Sequence, residues 1–271
     1  MPRRVLVLLI LGLWLLSSLA APLLVAHSYA SLDLRARLQG PSPEHPLGTD
    51  DLGRDVLARL CYGGRVSLGV VTASLFLALC LGSLVGLASG YLAGWCDRGT
   101  VLLTDVLLAM PGILLAITIL AYVGRGLVPL ILALSCTAWV GYARLARSMA
   151  LSLRQREYVQ ASLASGAGLP RLLFRHLLPN CAGLLAVQAA AGAASVLLAE
   201  AGLSFLGLGI QPPMPSWGEM LSTGCDYLLE APHLALIPGA AVFLVVWALN
   251  TLGEEMAASF DPKGKAIALA L

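Results

Sequence analysis

Six stretches of this sequence run apolar for about twenty residues each, and that feature alone commits the chain to a fold whose solvent is lipid. They extend from Val5 to about Ala26, Val66 to Gly90, Val101 to Val123, Leu127 to Ala146, Cys181 to Leu203 and Leu234 to Leu252. At 1.5 Å of rise per residue, about 20 residues bridge a hydrocarbon core of ~30 Å. Charge is correspondingly scarce: 12% of the 271 residues are charged and 58% are hydrophobic, where a soluble chain carries about 25% charged. The expectation is an all-α, polytopic membrane protein with six spans.

The first run follows Arg3-Arg4. A signal-peptide core is about 7 to 15 residues long, so a longer run reads as an uncleaved span. With the N-terminus inside, 11 of the 17 Lys and Arg residues fall on inner segments: Arg3, Arg4, Arg98, Arg144, Arg147, Arg154, Arg156, Arg171, Arg175, Lys263 and Lys265. The positive-inside rule then places both termini in the cytoplasm. No Lys/Arg block is dense enough to neutralise a run of phosphates, which excludes nucleic acid as a partner.

Three divisions follow: 1-65, a first span with an extracytoplasmic loop; 66-256, the transmembrane domain; and 257-271, a cytoplasmic tail. Small residues are densest at Ala189 to Ala194, where helix backbones are expected to approach closely. Met110-Pro111-Gly112 interrupts the third span; a missing N–H beside a flexible Gly predicts a kink. The six cysteines form no C-x-x-C and read as isolated thiols. On this topology Cys61 and Cys225 face outside, Cys96 and Cys181 lie at the inner surface, and Cys80 and Cys136 sit near mid-membrane.

The inner stretch 150-180 is too polar to be a span and too patterned to be a slack loop. It reads as two short helices joined at Gly166 to Gly168, the second beginning near Pro170, a favoured first helical residue, and stopping at Pro179. Such an element suits either an amphipathic surface pair or a plug for a pocket on another protein.

At these residues a resemblance enters. Gln160-Ala161-Ser162, Gly166, and then His176 to Pro179 resemble the EAA loop of integral membrane subunits of ABC importers. In that family the loop docks into a cleft of the ATPase subunit, which implies coupling roles for Glu157, Gln160, Ala161, Ser162, Gly166, His176 and Pro179. Gln160, Ser162 and His176 depart from the simplest form of the motif, which has Glu, Ala and an aliphatic residue there. His45 to Asp55, Glu200 to Gly218, Asn250 to Gly253 and Phe260 to Lys263 resemble the dipeptide, oligopeptide and nickel permease family; Glu254-Glu255-Met256 departs from its closing motif. The resemblance implies a six-helix type I permease and three kinds of partner: ABC ATPase subunits, a second homologous permease and an extracytoplasmic solute-binding protein. It also implies the bacterial inner membrane as the location. Ser152 to Ser162 with Ser165 to Gly168 look closer to the nickel branch, which implies nickel or a nickel chelate as cargo, with short peptides as the alternative.

Other residues are read from their positions. Asp50, Asp51 and Asp55 can pair with Arg54, Arg59 or Arg65 to fold the outer loop onto the bundle mouth, with Gly48 and Gly53 permitting turns. The acidic spacing does not follow a calcium loop. Glu200, about 18 residues into its span, is expected near the outer interface and in reach of water. Glu200 and Gln188 are candidate pathway-lining residues, while Gln188 and Asn250 also suit interhelical bonding. Asp105 reads as solvated at the inner surface. His27, His45, His233, Met214 and Met220 all fall on the outer side but show no metal-ligand spacing, so no metal site and no cofactor is assigned. No G-x-x-x-x-G-K-[ST] occurs, so ATP hydrolysis is expected in separate subunits. The competing class is a proton-coupled secondary transporter with Glu200 and Asp105 as relays.

Overall fold

The computed structural model describes residues 2–25 and 27–260. The closing-motif residues beyond Phe260, with Lys263 and Lys265, lie outside the described residues. The architecture is all-helical: α1 (Pro2–Leu19), α2 (Ala21–Leu24), α3 (Val56–Leu92), α4 (Gly94–Ala109), α5 (Gly112–Val123), α6 (Leu127–Leu153), α7 (Glu157–Ala164), α8 (Leu169–Arg171), α9 (Leu178–Phe205), α10 (Trp217–Asp226) and α11 (His233–Phe260). Among the described residues, four helical stretches are long and apolar enough to cross a membrane, Val56–Leu92, Leu127–Leu153, Leu169–Phe205 and His233–Ser259. A fifth crossing requires α4 and α5 to count as one span, bent by 91°. Six spans are reached only by adding α1, whose 18 residues extend ~27 Å.

Several boundaries differ from the sequence reading, each for a local reason. Pro22 has no N–H to donate to the preceding turn, so the first apolar run breaks after Leu19 into α1 and α2. The kink expected at Met110-Pro111-Gly112 is a full break: Met110 is extended (φ −99°, ψ 136°), as the residue before a proline prefers. The third helix starts ten residues before Val66, because Asp55 caps it, its Oδ1 accepting the Ala58 N–H at 2.7 Å. Cys61 is therefore buried on α3, and Cys181 is buried on α9, while Cys225 is exposed.

Close packing occurs within Ala189 to Ala194, where a Cβ on Gly192 would meet Tyr142 of α6, and also along a second, more regular seam. A Cβ on Gly82, Gly86 or Gly90 of α3 would fall 2.4, 2.2 and 2.5 Å from the carbonyl oxygens of Trp139, Ala143 and Arg147 on α6. Glycine every four residues against carbonyls every four residues keeps one face of α3 flush with α6. At the α4 end of this seam Arg147 donates to Asp97 at 2.5 and 2.7 Å.

Pro179 does not stop the second short helix expected in the 150-180 stretch. Helix α8 continues through a π-helical turn, Leu172–Leu177, directly into α9. In that turn the Leu178 N–H reaches Leu173 O, five residues back, so the ladder is already re-registered where Pro179 lacks a donor. Arg3 pairs with Glu254 at 3.2 Å and Arg4 with Glu255 at 3.0 Å, so α1 begins beside the end of α11. Glu254 and Glu255 are thus complementary to Arg3 and Arg4.

Candidate functional site: the 154–180 element and the cleft above it

The turn between α7 and α8 is a glycine-terminated helix end. Gly166 has φ +80°; its N–H reaches Leu163 O at 2.9 Å and the Ala167 N–H reaches Ser162 O at 3.1 Å. These are the two bonds of a Schellman motif, which places a left-handed residue at the position Gly166 fills. Glu157 lies exposed in the first turn of α7, where the helix dipole favours an acid.

The motif departures have specific partners. Gln160 Nε2 donates to Arg154 O at 2.6 Å, closing the end of α6. Ser162 Oγ and His176 Nε2 lie 3.1 Å apart, tying α7 to the π turn, with the Tyr158 ring 6.3 Å from the imidazole. Two of the three unusual residues therefore satisfy one another. Ala161 is exposed, as is Pro179.

This element is anchored at one buried residue and leaves larger apolar side chains exposed. Val159, 1% exposed, enters the core cluster that includes Trp139, Ala143, Leu172 and Leu177. Tyr158, Leu163 and Phe174 remain 42, 46 and 56% exposed. Sequence reading missed Val159 as the anchor and Phe174 as a surface group, because their roles depend on which way each helix is rolled.

Further along α9 the two candidate pathway residues part company. Gln188 is exposed on a cleft of about 330 Å³ bordered by α5, α6 and α9, with Thr137, Tyr142 and Ser195 on its wall. Glu200 is absent from that wall. It is fully buried and accepts hydrogen bonds from Ser67 Oγ at 2.9 Å and Ser204 Oγ at 3.0 Å. The expected access to water fails because α3 covers this face of α9: depth along a helix says nothing of which neighbour lies beside it. Asp105 is exposed on α4.

At the opposite end of the bundle the loop charges fold inward. Arg54 meets Asp50 at 2.6 Å and Asp51 at 3.5 Å, and Arg59 bridges Asp50 (3.4 Å) to Glu219 on α10 (2.6 Å). Gly48 and Gly53 take φ +80° and +72°, as their expected turns require. Asp55 departs from the expected pairing with arginine: its Oδ2 lies 2.7 Å from His45 Nδ1. Arg65 is exposed. The Glu200 to Gly218 stretch closes this end: Ser216 caps α10, Trp217 Nε1 donates to Leu60 O at 2.9 Å, and the Trp14 and Trp217 rings lie 6.0 Å apart. Of the outer histidines, His27 and His45 come together with Asp55, whereas His233 lies against Gly48. Met214 is exposed and Met220 buried.

Comparison with known proteins places this geometry. Residues 78–265 match the family described as binding-protein-dependent transport system inner membrane component. The chain is 42% identical to a dipeptide transport system permease protein of Alkalihalophilus pseudofirmus, over 95% of this chain and 85% of that one. It is 40% identical to a glutathione transport system permease protein of Pectobacterium atrosepticum (84% and 75%), and 38% identical to a nickel transport system permease protein of Escherichia coli (95% and 93%). A solved inward-facing methionine ABC transporter superposes with a TM-score of 0.52 at 17% identity, covering 73% of this chain and 96% of its own; that likeness shows the fold. The chain belongs to the inner membrane permease components of ABC importers, in the dipeptide, oligopeptide and nickel family.

Proposed function

We propose that this inner membrane permease forms half of a translocation pathway, paired with a second permease, and that residues 154–180 dock into a partner ATPase. The observation that carries the reading is an element anchored by buried Val159, in one core cluster with Leu172 and Leu177, that leaves Tyr158, Leu163 and Phe174 exposed. Movement of the docked face is passed to close-packed helices that slide or rotate as units. Both termini and the 154–180 element face the cytoplasm, supported by the positive-inside count, and the 27–55 loop receives cargo from a solute-binding protein. The secondary-transporter alternative falls with membership of an ABC importer family.

The cargo best supported is a short peptide. The cleft wall offers the neutral hydrogen-bonding groups of Thr137, Gln188 and Ser195, which match amide donors and acceptors, and the dipeptide and glutathione permeases are the relatives at 42 and 40% identity. Nickel or a nickel chelate is the second reading, favoured by the loop resemblance and by a nickel permease aligned over 93% of its length.

Gly166→Val tests coupling. A β-branched residue at φ +80° strains the turn by about 1–3 kcal/mol while no neighbour lies within 4 Å to obstruct it. Uptake and substrate-stimulated ATP hydrolysis should fall with normal membrane insertion; full retention of both overturns the assignment. Accumulation of radioactive nickel and labelled dipeptide in a deletion strain decides cargo: loss of dipeptide uptake alone supports peptide, and loss of nickel uptake alone supports the second reading.

A further inference from the structure

The loop between α2 and α3 brings two imidazoles and a carboxylate together from positions 18 and 10 residues apart in sequence (27 to 45, 45 to 55). We propose that His27, His45 and Asp55 bind a first-row divalent transition ion of the Ni²⁺ or Zn²⁺ kind, at the end of the bundle opposite the 154–180 element. One donor atom from each residue lies within 4.8 Å of the other two. His45 Nδ1 and Asp55 Oδ2 are 2.7 Å apart, near the ~3 Å that separates adjacent donors bound at about 2.0–2.2 Å to one ion. The ion takes the place of the proton these two atoms share.

Two of the three ligands are held before any ion arrives. Asp55 divides its oxygens: Oδ1 caps α3 through the Ala58 N–H, leaving Oδ2 aimed at His45. The His45 backbone is fixed at both polar groups, its N–H donating to Ser42 Oγ at 3.0 Å and its carbonyl accepting from Gly48 N–H at 2.8 Å. The His27 ring, with its centroid 5.0 Å from that of His45, is on an exposed turn and closes by side-chain rotation. Two imidazoles with one carboxylate suit zinc, nickel or copper, whereas calcium and magnesium prefer all-oxygen shells. With only three protein ligands and an exposed rim, the remaining positions stay open to exchange. This site does not depend on what the protein transports.

The test uses the assembled, nucleotide-free transporter in lipid nanodiscs, without a histidine tag, titrated with Ni²⁺ or Zn²⁺ against a chromophoric chelator. One ion per copy of this chain is expected. His27→Ala, on an exposed side chain, should weaken binding by about tenfold or more, and His45→Gln by at least as much. An unchanged affinity and stoichiometry in His27→Ala overturns the site, as does failure of both ions to bind at micromolar concentration. Ca²⁺ binding as tight as Ni²⁺ overturns the proposed ion class.

Discussion

The two ends of this bundle solve opposite problems. At the loop end, Asp50, Arg54, Asp55 and Arg59 are all less than 10% exposed and are held by ion pairs, a helix cap and turns. At the other end, α7 has Val159 as its buried residue and shows apolar side chains to its surroundings. Buried charges tolerate no loss of a partner, so the loop end is built as one fixed arrangement. On the proposed docking, the element that presents Tyr158, Leu163 and Phe174 is completed by the ATPase, and its anchor Val159 belongs to the fold. The contrast separates residues that hold the permease together from residues proposed to transmit movement.

The sharpest way to break this contrast is at Arg59. Arg59→Met keeps much of the volume but leaves Glu219 partly buried without its cation, while Asp50 keeps Arg54 at 2.6 Å, at a cost of about 3 kcal/mol. Membrane-extracted protein should show a large drop in thermal stability, and a variant as stable as the parent would mean that the loop end is not the rigid one. Val159→Ala comes next. It removes two buried methyl groups, about 2 kcal/mol at ~0.8 kcal/mol each with a cavity term. Here the spans should remain folded while co-purification with the ATPase weakens. Loss of the whole fold would show that α7 is integral to the bundle.

Smaller still is the Ser162–His176 contact. Ser162→Ala and His176→Leu should each cost about 0.5–1.5 kcal/mol of coupling-element order. Because the two side chains satisfy one another, the double variant should lose no more than the worse single one in a double-mutant cycle. Additive losses would show that each acts on the ATPase separately. The smallest effect is a null at one cysteine: in intact spheroplasts an impermeant thiol reagent should modify exposed Cys225 and leave buried Cys61 untouched, although both lie towards the loop end. Labelling of Cys61 would mean that the loop end opens.

Much of the scaffold was legible in residue order. Apolar runs located the long helices, since lipid leaves little choice for about twenty uncharged residues, and Pro111 marked the break because its effect is local. The turn after α7 was legible at Gly166, where a helix end needs a left-handed residue. Legibility failed where a neighbour decides. Pro179 reads as a stop until the π turn before it re-registers the ladder; the start of α3 is hidden by Arg59 and Arg65, which make its first turns look like loop.

The sequence by itself determined the solvent, the helical class, the break at Pro111 and the candidate docking segment, because periodicity, proline geometry and the hydrocarbon thickness act within a single helix. Tertiary structure alone decided the identity of the tight seam and the fate of the polar residues. Ala189 to Ala194 is the denser run of small residues, yet the regular seam with α6 runs along Gly82, Gly86 and Gly90, since close approach needs two matched faces. Glu200 and Gln188 lie twelve residues apart on α9, and one is sealed beneath α3 while the other borders the cleft. The roll of a helix against its neighbours sets that difference, and roll is a property of the packed bundle.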